Sequence, residues 1–292
     1  MIRAALSWIV WPALIALGLT SVYFVRAANV SPVVGLVTLQ LVVVAIVALL
    51  ERWMPEHPEW NVAKNDVRTD ALYLLLSGAA LSAVLRTAIF AGVPSLGLWP
   101  ESWPIAAQVV LAIALADLGS YVTHVLEHKA SWLWPIHTPH HSARRLYWLN
   151  ATRMHPFDEA STVLLSLLPL AVLGAPAATL AYFDAFAIVH LLLQHSNVRL
   201  RHGALSHVFA TAEFHRWHHS PVRAEGEANY ASFLSLWDRI FGTFRMPRAQ
   251  RPPVDVGLYD GATIEDGFLA QLRYPFKAWK RAPVREGAVP RP

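Results

Sequence analysis

Long apolar runs alternate with short polar segments over the first two thirds of the chain. Leu6–Val25 carries no charged residue over twenty positions, about the length a helix needs to cross a bilayer. Pro12 sits inside it as a candidate kink. It is too long for the apolar region of a signal peptide, so it reads as a retained helix. Val33–Leu50 is a second uncharged run, and the short turnaround from Arg26 to Pro32 makes the two a hairpin. Ala71–Val93 is a third span with Arg86 inside it, and Ile105–Val122 a fourth with Asp117 inside it. A fifth stretch, Ala160–Gln194, is broken by Gly174-Ala175-Pro176, a helix-ending string. Two helices of about seventeen residues follow, slightly short for full spans, and a hairpin that dips into the membrane and returns fits them. The pattern predicts an all-α integral membrane bundle of about four transmembrane helices plus that membrane-dipping hairpin, with a helical, histidine-rich cap on one face.

Composition supports the membrane reading. Of 292 residues, 55% are apolar and 15% charged, against roughly 25% charged in a soluble domain, and the mean hydropathy is +0.36. There is no cysteine, which excludes disulfides, thiolate metal sites and iron–sulfur clusters built from this chain. The net charge of +4 comes from Lys and Arg in loops between spans. No recognition motif accompanies them, which argues against nucleic acid as a partner. Arg52, Lys64 and Arg68 follow span two; Lys129, Arg144, Arg145 and Arg153 follow span four; Arg199, Arg201, Arg216 and Arg223 follow the hairpin. The loop from Gly92 to Pro104 has neither Lys nor Arg. By the positive-inside rule, both termini and everything after span four that lies outside the hairpin face the cytoplasm. The last forty residues, rich in Pro and Arg, read as a surface tail.

Eight of the fourteen histidines fall in three strings: His124-Val-Leu-Glu-His128, His137-Thr-Pro-His140-His141 and His215-Arg-Trp-His218-His219. Residues at i, i+3 and i+4 share a helical face. Imidazole suits iron, zinc, copper and nickel, and eight are too many for one ordinary metal but about right for two. Thr138 before Pro139 reads as an N-cap followed by proline at the first helical position, so His140 and His141 should open a helix with His137 just outside it. Glu127 is an alternative oxygen ligand, although a solvent- or headgroup-facing carboxylate is the simpler reading. Asp117, seven residues before His124, can orient a ligating imidazole; it can equally make a polar contact between helices or capture Arg86. Trp217 is a candidate lining residue of the metal site.

The set H-x3-H, H-x2-HH and H-x2-HH resembles the fatty acid hydroxylase / sterol desaturase superfamily. Gln194-His-Ser-Asn-Val-Arg-Leu200, Arg153-Met-His-Pro-Phe-Asp158, Asn229-Tyr230 and Leu236-Trp-Asp-Arg-Ile-Phe-Gly-Thr243 support it, and the likeness covers about Leu111 to Phe244. The resemblance implies N-terminal transmembrane helices over 1–100, a di-iron catalytic domain over 101–245 and a cytoplasmic tail over 246–292. It implies His124, His128, His137, His140, His141, His215, His218 and His219 as ligands. It adds His195, in the hairpin's returning helix twenty residues before His215, and His155 as a tenth ligand or a partner of one. His190 fits less well, because Gln194 stands where some relatives place a second ligand. His202 and His207 read as surface residues and His57 as a loop residue, while Asp238 should hold the cap together.

The implied activity is oxidation of a lipid or sterol-like C–H bond, by hydroxylation or desaturation, with two irons (zinc as a substitute) and O2 as co-substrate. Electrons must come from a separate reductase, ferredoxin or cytochrome, since the chain has no flavin, nicotinamide or iron–sulfur motif. Arg144, Arg145, Arg201 and Arg223 are candidates for steering an acidic carrier. A bis-histidine haem protein needs histidine pairs at mid-depth, and these lie at helix ends. A zinc hydrolase is the other rival, but no H-E-x-x-H string is present. A non-enzymatic lipid-binding member of the family would not need its ligands intact.

Overall fold

A computed structural model describes residues 2–247 and 251–280. Six helices are long and apolar enough to cross a membrane: α1 (Ile2–Ala27), α2 (Pro32–Trp53), α3 (Val67–Gly92), α4 (Ile105–Lys129), α6 (Pro156–Leu173) and α7 (Ala177–His195). Between and after them come the short helices α5 (Trp134–His141) and α8 (Ala212–His218), and α9 (Phe268–Lys280) near the end. Among the described residues no strand is formed; two isolated bridges, Pro55 to Val198 and Phe209 to Leu234, are the extended pairings.

α1 and α2 form the expected hairpin and pack on α7 through Trp11, Leu14, Val43, Val47, Ala185 and Val189. α4 packs on α6, where Gly119 lies against the Leu165 carbonyl so closely that a β-carbon would collide with it. The middle of α3, Leu74–Leu81, widens into π-helical turns, and Gly78 there abuts Thr152. The outward faces are apolar and open, as in Val37 (50% exposed), Leu41 (65%) and Leu75 (60%), which is the surface a bilayer wets.

The α6–α7 hairpin is present and deep. Gly174 ends α6 in the left-handed region (φ 84°), which a β-carbon would strain. Its turn meets the 92–104 loop: the Leu96 and Leu98 amides donate to the Val172 and Leu173 carbonyls at 2.8 and 3.1 Å. The hairpin tip therefore reaches the end of the bundle opposite the histidines, beside the loop that lacks Lys and Arg. α6 and α7 have 18 and 19 residues, about 27–29 Å at 1.5 Å per residue, close to the hydrocarbon thickness.

Four local expectations change. α5 begins at Trp134 with Pro135 in its first turn and holds Pro139 inside; the Thr138 hydroxyl donates back to the Trp134 carbonyl at 2.8 Å instead of capping a new helix. Arg145 is buried, in a two-pronged pair with Asp66 at 2.6 and 2.8 Å. It is not available to steer a carrier. His202 is 5% exposed, not a surface residue. The segment read as a tail is anchored as well. Tyr259 and Gln271 are buried, and α9 packs against α5 and the start of α3. Residues 281–292 lie outside the described residues.

Candidate metal centre

Two helix ends and two short helices meet beneath the bundle. α4 delivers His124 and His128 in its last two turns, α7 delivers His195 as its final residue, and α5 and α8 present His137, His140, His141, His215 and His218, with His219 at the C-cap of α8. They sort into two groups whose nitrogens all lie within 4.8 Å of one another: His124, His128, His137, His141 and His218, and His140, His195, His215 and His219. The groups interlock, for the His141 and His219 rings stack at 4.6 Å between centroids. Nine of the ten histidines expected to bind metal are thus brought together. His155 is not: it caps α6, with Nδ1 accepting from the Phe157 amide and Nε2 3.2 Å from the Leu272 carbonyl. His190 also stands apart, its Nε2 3.0 Å from the Ala210 carbonyl. It is five residues from His195 on one helix, and five residues turn a side chain to a different face.

The outer nitrogens are held by the surrounding fold. His124 Nδ1 donates to the Tyr230 carbonyl at 2.7 Å and His218 Nδ1 to the Ala228 carbonyl at 2.8 Å, which turns Nε2 of each inward as a lone pair. Asp117 and Asp238 fix the loop that supplies these carbonyls. Asp117 accepts from the amides of Ser232, Phe233 and Leu234 at 2.8–2.9 Å. Asp238 accepts from those of Tyr230 and Ala231. Asp117 therefore neither touches an imidazole nor captures Arg86, which pairs with Asp184 at 2.8 Å; it acts through backbone. Glu127, expected to face outward, is 2% exposed. Its Oε2 lies 3.3 Å from His137 Nδ1, and Asp158 Oδ2 lies 2.9 Å from the same nitrogen.

These residues fit a pair of metal ions. Nε2 of His124, His128 and His137 is buried without a hydrogen-bond partner. An orphaned polar atom in an apolar interior is costly. Nitrogens also face one another: His195 to His215 at 2.8 Å, His215 to His219 at 3.0 Å, and His141 to His218 at 3.0 Å, all through Nε2. Nitrogens converging in this way can ligate one shared cation. Burial pushes the His137 imidazole down to about 3. Burial, then the proximity of neighbouring imidazoles, holds His140, His141, His215, His218 and His219 well below the usual range. All are neutral near pH 7, the form that ligates.

The chain is 38% identical over 285 residues to ornithine lipid hydroxylase OlsE of Rhizobium tropici, covering 94% of this chain and 85% of that protein. This chain belongs to the fatty acid hydroxylase family. The family's own model, "Fatty acid hydroxylase", matches residues 109–243, the stretch that holds all nine converging histidines. Two further family members match more narrowly. Human alkylglycerol monooxygenase is 28% identical over 56% of this chain and 36% of its own length. Rat cholesterol 25-hydroxylase is 25% identical over 52% of each. No solved structure matches the chain.

Several contributors to the site escape sequence reasoning. Trp134 is in ring contact with His128, His137 and His141, where Trp217 was the expected lining residue. Tyr259 stacks on Trp134 at 5.2 Å and sets its hydroxyl 3.0 Å from His128 Nδ1. Nothing in the Pro-rich stretch around Tyr259 marks it. Asp158 was visible in the His-Pro-Phe-Asp string, but its partner, His137, was not.

Proposed function

We propose that this chain is an integral membrane di-iron monooxygenase that hydroxylates a membrane lipid. The observation that carries the reading is the pair of imidazole groups, five and four in number and all buried but the half-buried His124, each with ligand nitrogens within 4.8 Å of one another. A donor set of nitrogen alone, without thiolate, suits redox iron. The ligands are His124, His128, His137, His141 and His218 for one ion and His140, His195, His215 and His219 for the other, with zinc as a possible substitute. Bound iron would supply reductive activation of O2 towards an unactivated C–H bond. The balance is R–H + O2 + 2e⁻ + 2H⁺ → R–OH + H2O. The chain's own part is to hold nine neutral imidazoles, to keep bulk water from them by burial, and to set them directly under spans that face lipid. A separate reductase, ferredoxin or cytochrome donates the electrons, because this chain has no cysteine and no second redox group. The histidine face is cytoplasmic, supported by Lys and Arg around it and their lack in the 92–104 loop. The OlsE likeness, spanning nearly the whole chain, makes amino-acid-headed lipids the first substrates to assay.

Comparative lipidomics of cells with and without the protein, grown under ¹⁸O2, tests this. The expected result is one lipid class that gains a single ¹⁸O atom only with the intact protein. Oxygen drawn from water, or turnover without O2, would show a hydrolase instead.

A further inference from the structure

The two imidazole groups are braced differently. In the group of five, four outer nitrogens have partners: His124 and His218 the Tyr230 and Ala228 carbonyls, His128 the Tyr259 hydroxyl, His137 the carboxyl groups of Asp158 and Glu127. In the group of four, Nδ1 of His140, His215 and His219 has none, and His195 Nδ1 has a long contact, 3.4 Å, to Asn150 Oδ1. Among the described residues, Glu127 and Asp158 are the only carboxyl groups paired with any of the nine imidazoles. Both are buried; α4 carries one and α6 the other, so the pair clamps His137 from two spanning helices. The Ser161 hydroxyl donates to Glu127 Oε1 at 3.2 Å and fixes that carboxyl in turn.

An imidazole whose far N–H is taken by a carboxylate is oriented and is a more basic ligand, and loss of such a partner lowers metal affinity by 10–100-fold. A carboxyl group beside a dication in an apolar interior also offsets charge that neutral imidazoles leave uncompensated. We infer that the two metal positions are unequal: the five-imidazole position, with Glu127 and Asp158 as its positioning residues, keeps its ion when the four-imidazole position has already lost its own. The inference rests on the proposed two-metal reading.

The test is metal retention in the purified full chain, loaded with two equivalents of Fe(II) under anaerobic conditions and then challenged with excess EDTA. Metal per chain is followed by mass spectrometry. The expected course has two phases of about one ion each, the slower by at least about 10-fold. Asp158→Asn and Glu127→Gln should speed the slow phase by about 10–100-fold and leave the fast phase alone. Tyr259→Phe, which removes the hydroxyl beside His128 Nδ1, should speed it less. Melting of the metal-free variants separates misfolding from lost retention. Two ions leaving wild-type protein in one phase, or variants that speed only the fast phase, would overturn the inference and leave the two-metal reading standing. A chain that never binds a second ion would overturn both.

Discussion

Nine imidazoles converge where α5 and α8 meet the ends of α4 and α7, while His190 and His202, beside Trp11 where α7 passes α1, are as buried and converge on nothing. His190 stacks on Phe186 at 5.2 Å and spends its Nε2 on a backbone carbonyl. His202 lies edge-on to Trp11 at 5.9 Å with both nitrogens unpartnered. Burial and orphaned nitrogens occur in both regions, so neither property alone marks a metal site. What sets the first region apart is that four or five imidazole nitrogens converge on common places.

That contrast breaks first at the ligands. His141→Ala or His219→Ala should abolish bound metal at the affected position and lower turnover by at least about 10³-fold, since the residues of one centre act as a unit. His190→Phe and His202→Phe should retain full metal content on elemental analysis. A smaller effect, on folding, is expected at Asp117. Asp117→Ala removes the acceptor of three amides, one buried and two partly buried, and should cost about 2–4 kcal/mol in chemical denaturation, with the metal sites loosened only through the 228–234 loop.

The Trp11 region should show its histidine through pH. His202 is pushed down to about 3 by burial, helped by nearby His190 and the cationic Arg216 and Arg201. The unfolded chain binds a proton near 6.5, so it takes up protons before the folded chain does. Stability is therefore complete above about pH 6.5 and falls as pH drops towards 3, with a slope of up to about 1.4 kcal/mol per pH unit from this residue. His202→Phe should flatten the acid limb of a stability–pH curve by that amount; an unchanged limb would show that His202 is protonated in the fold. Least of all is expected from Arg144→Ala. Its pair with Asp266 is exposed at both ends, 60% and 59%, and its loss should shift stability by less than about 0.5 kcal/mol.

How much of this was legible follows from the range of each signal. Apolar runs and i, i+3, i+4 histidines are local patterns, and the spans and the three strings could be read directly. α5 was misplaced because Thr138-Pro139 looks like a helix start; Pro135 four residues earlier is the first-turn proline, and Thr138 satisfies itself on Trp134. Asp117 was noticed as a charge in a span, but its partners, the 232–234 amides, lie over a hundred residues away, where no spacing rule reaches. Tyr259 meets His128 across 131 residues, Arg145 meets Asp66 across 79 and Asp158 meets His137 across 21, all beyond the reach of a helical spacing rule. Glu127 meets His137 from a different helix. Arg144, Arg201 and Arg223 sit in pairs with Asp266, Glu56 and Glu227, so their field reaching a docking carrier is weaker than an unpaired reading implies.

The most direct test of the account is elemental analysis of protein purified anaerobically in its membrane environment, wild type beside His141→Ala/His219→Ala. The account predicts two irons per chain in the wild type and a loss of both in the double variant. One metal or none in the wild type, or two ions retained by the variant, would contradict it.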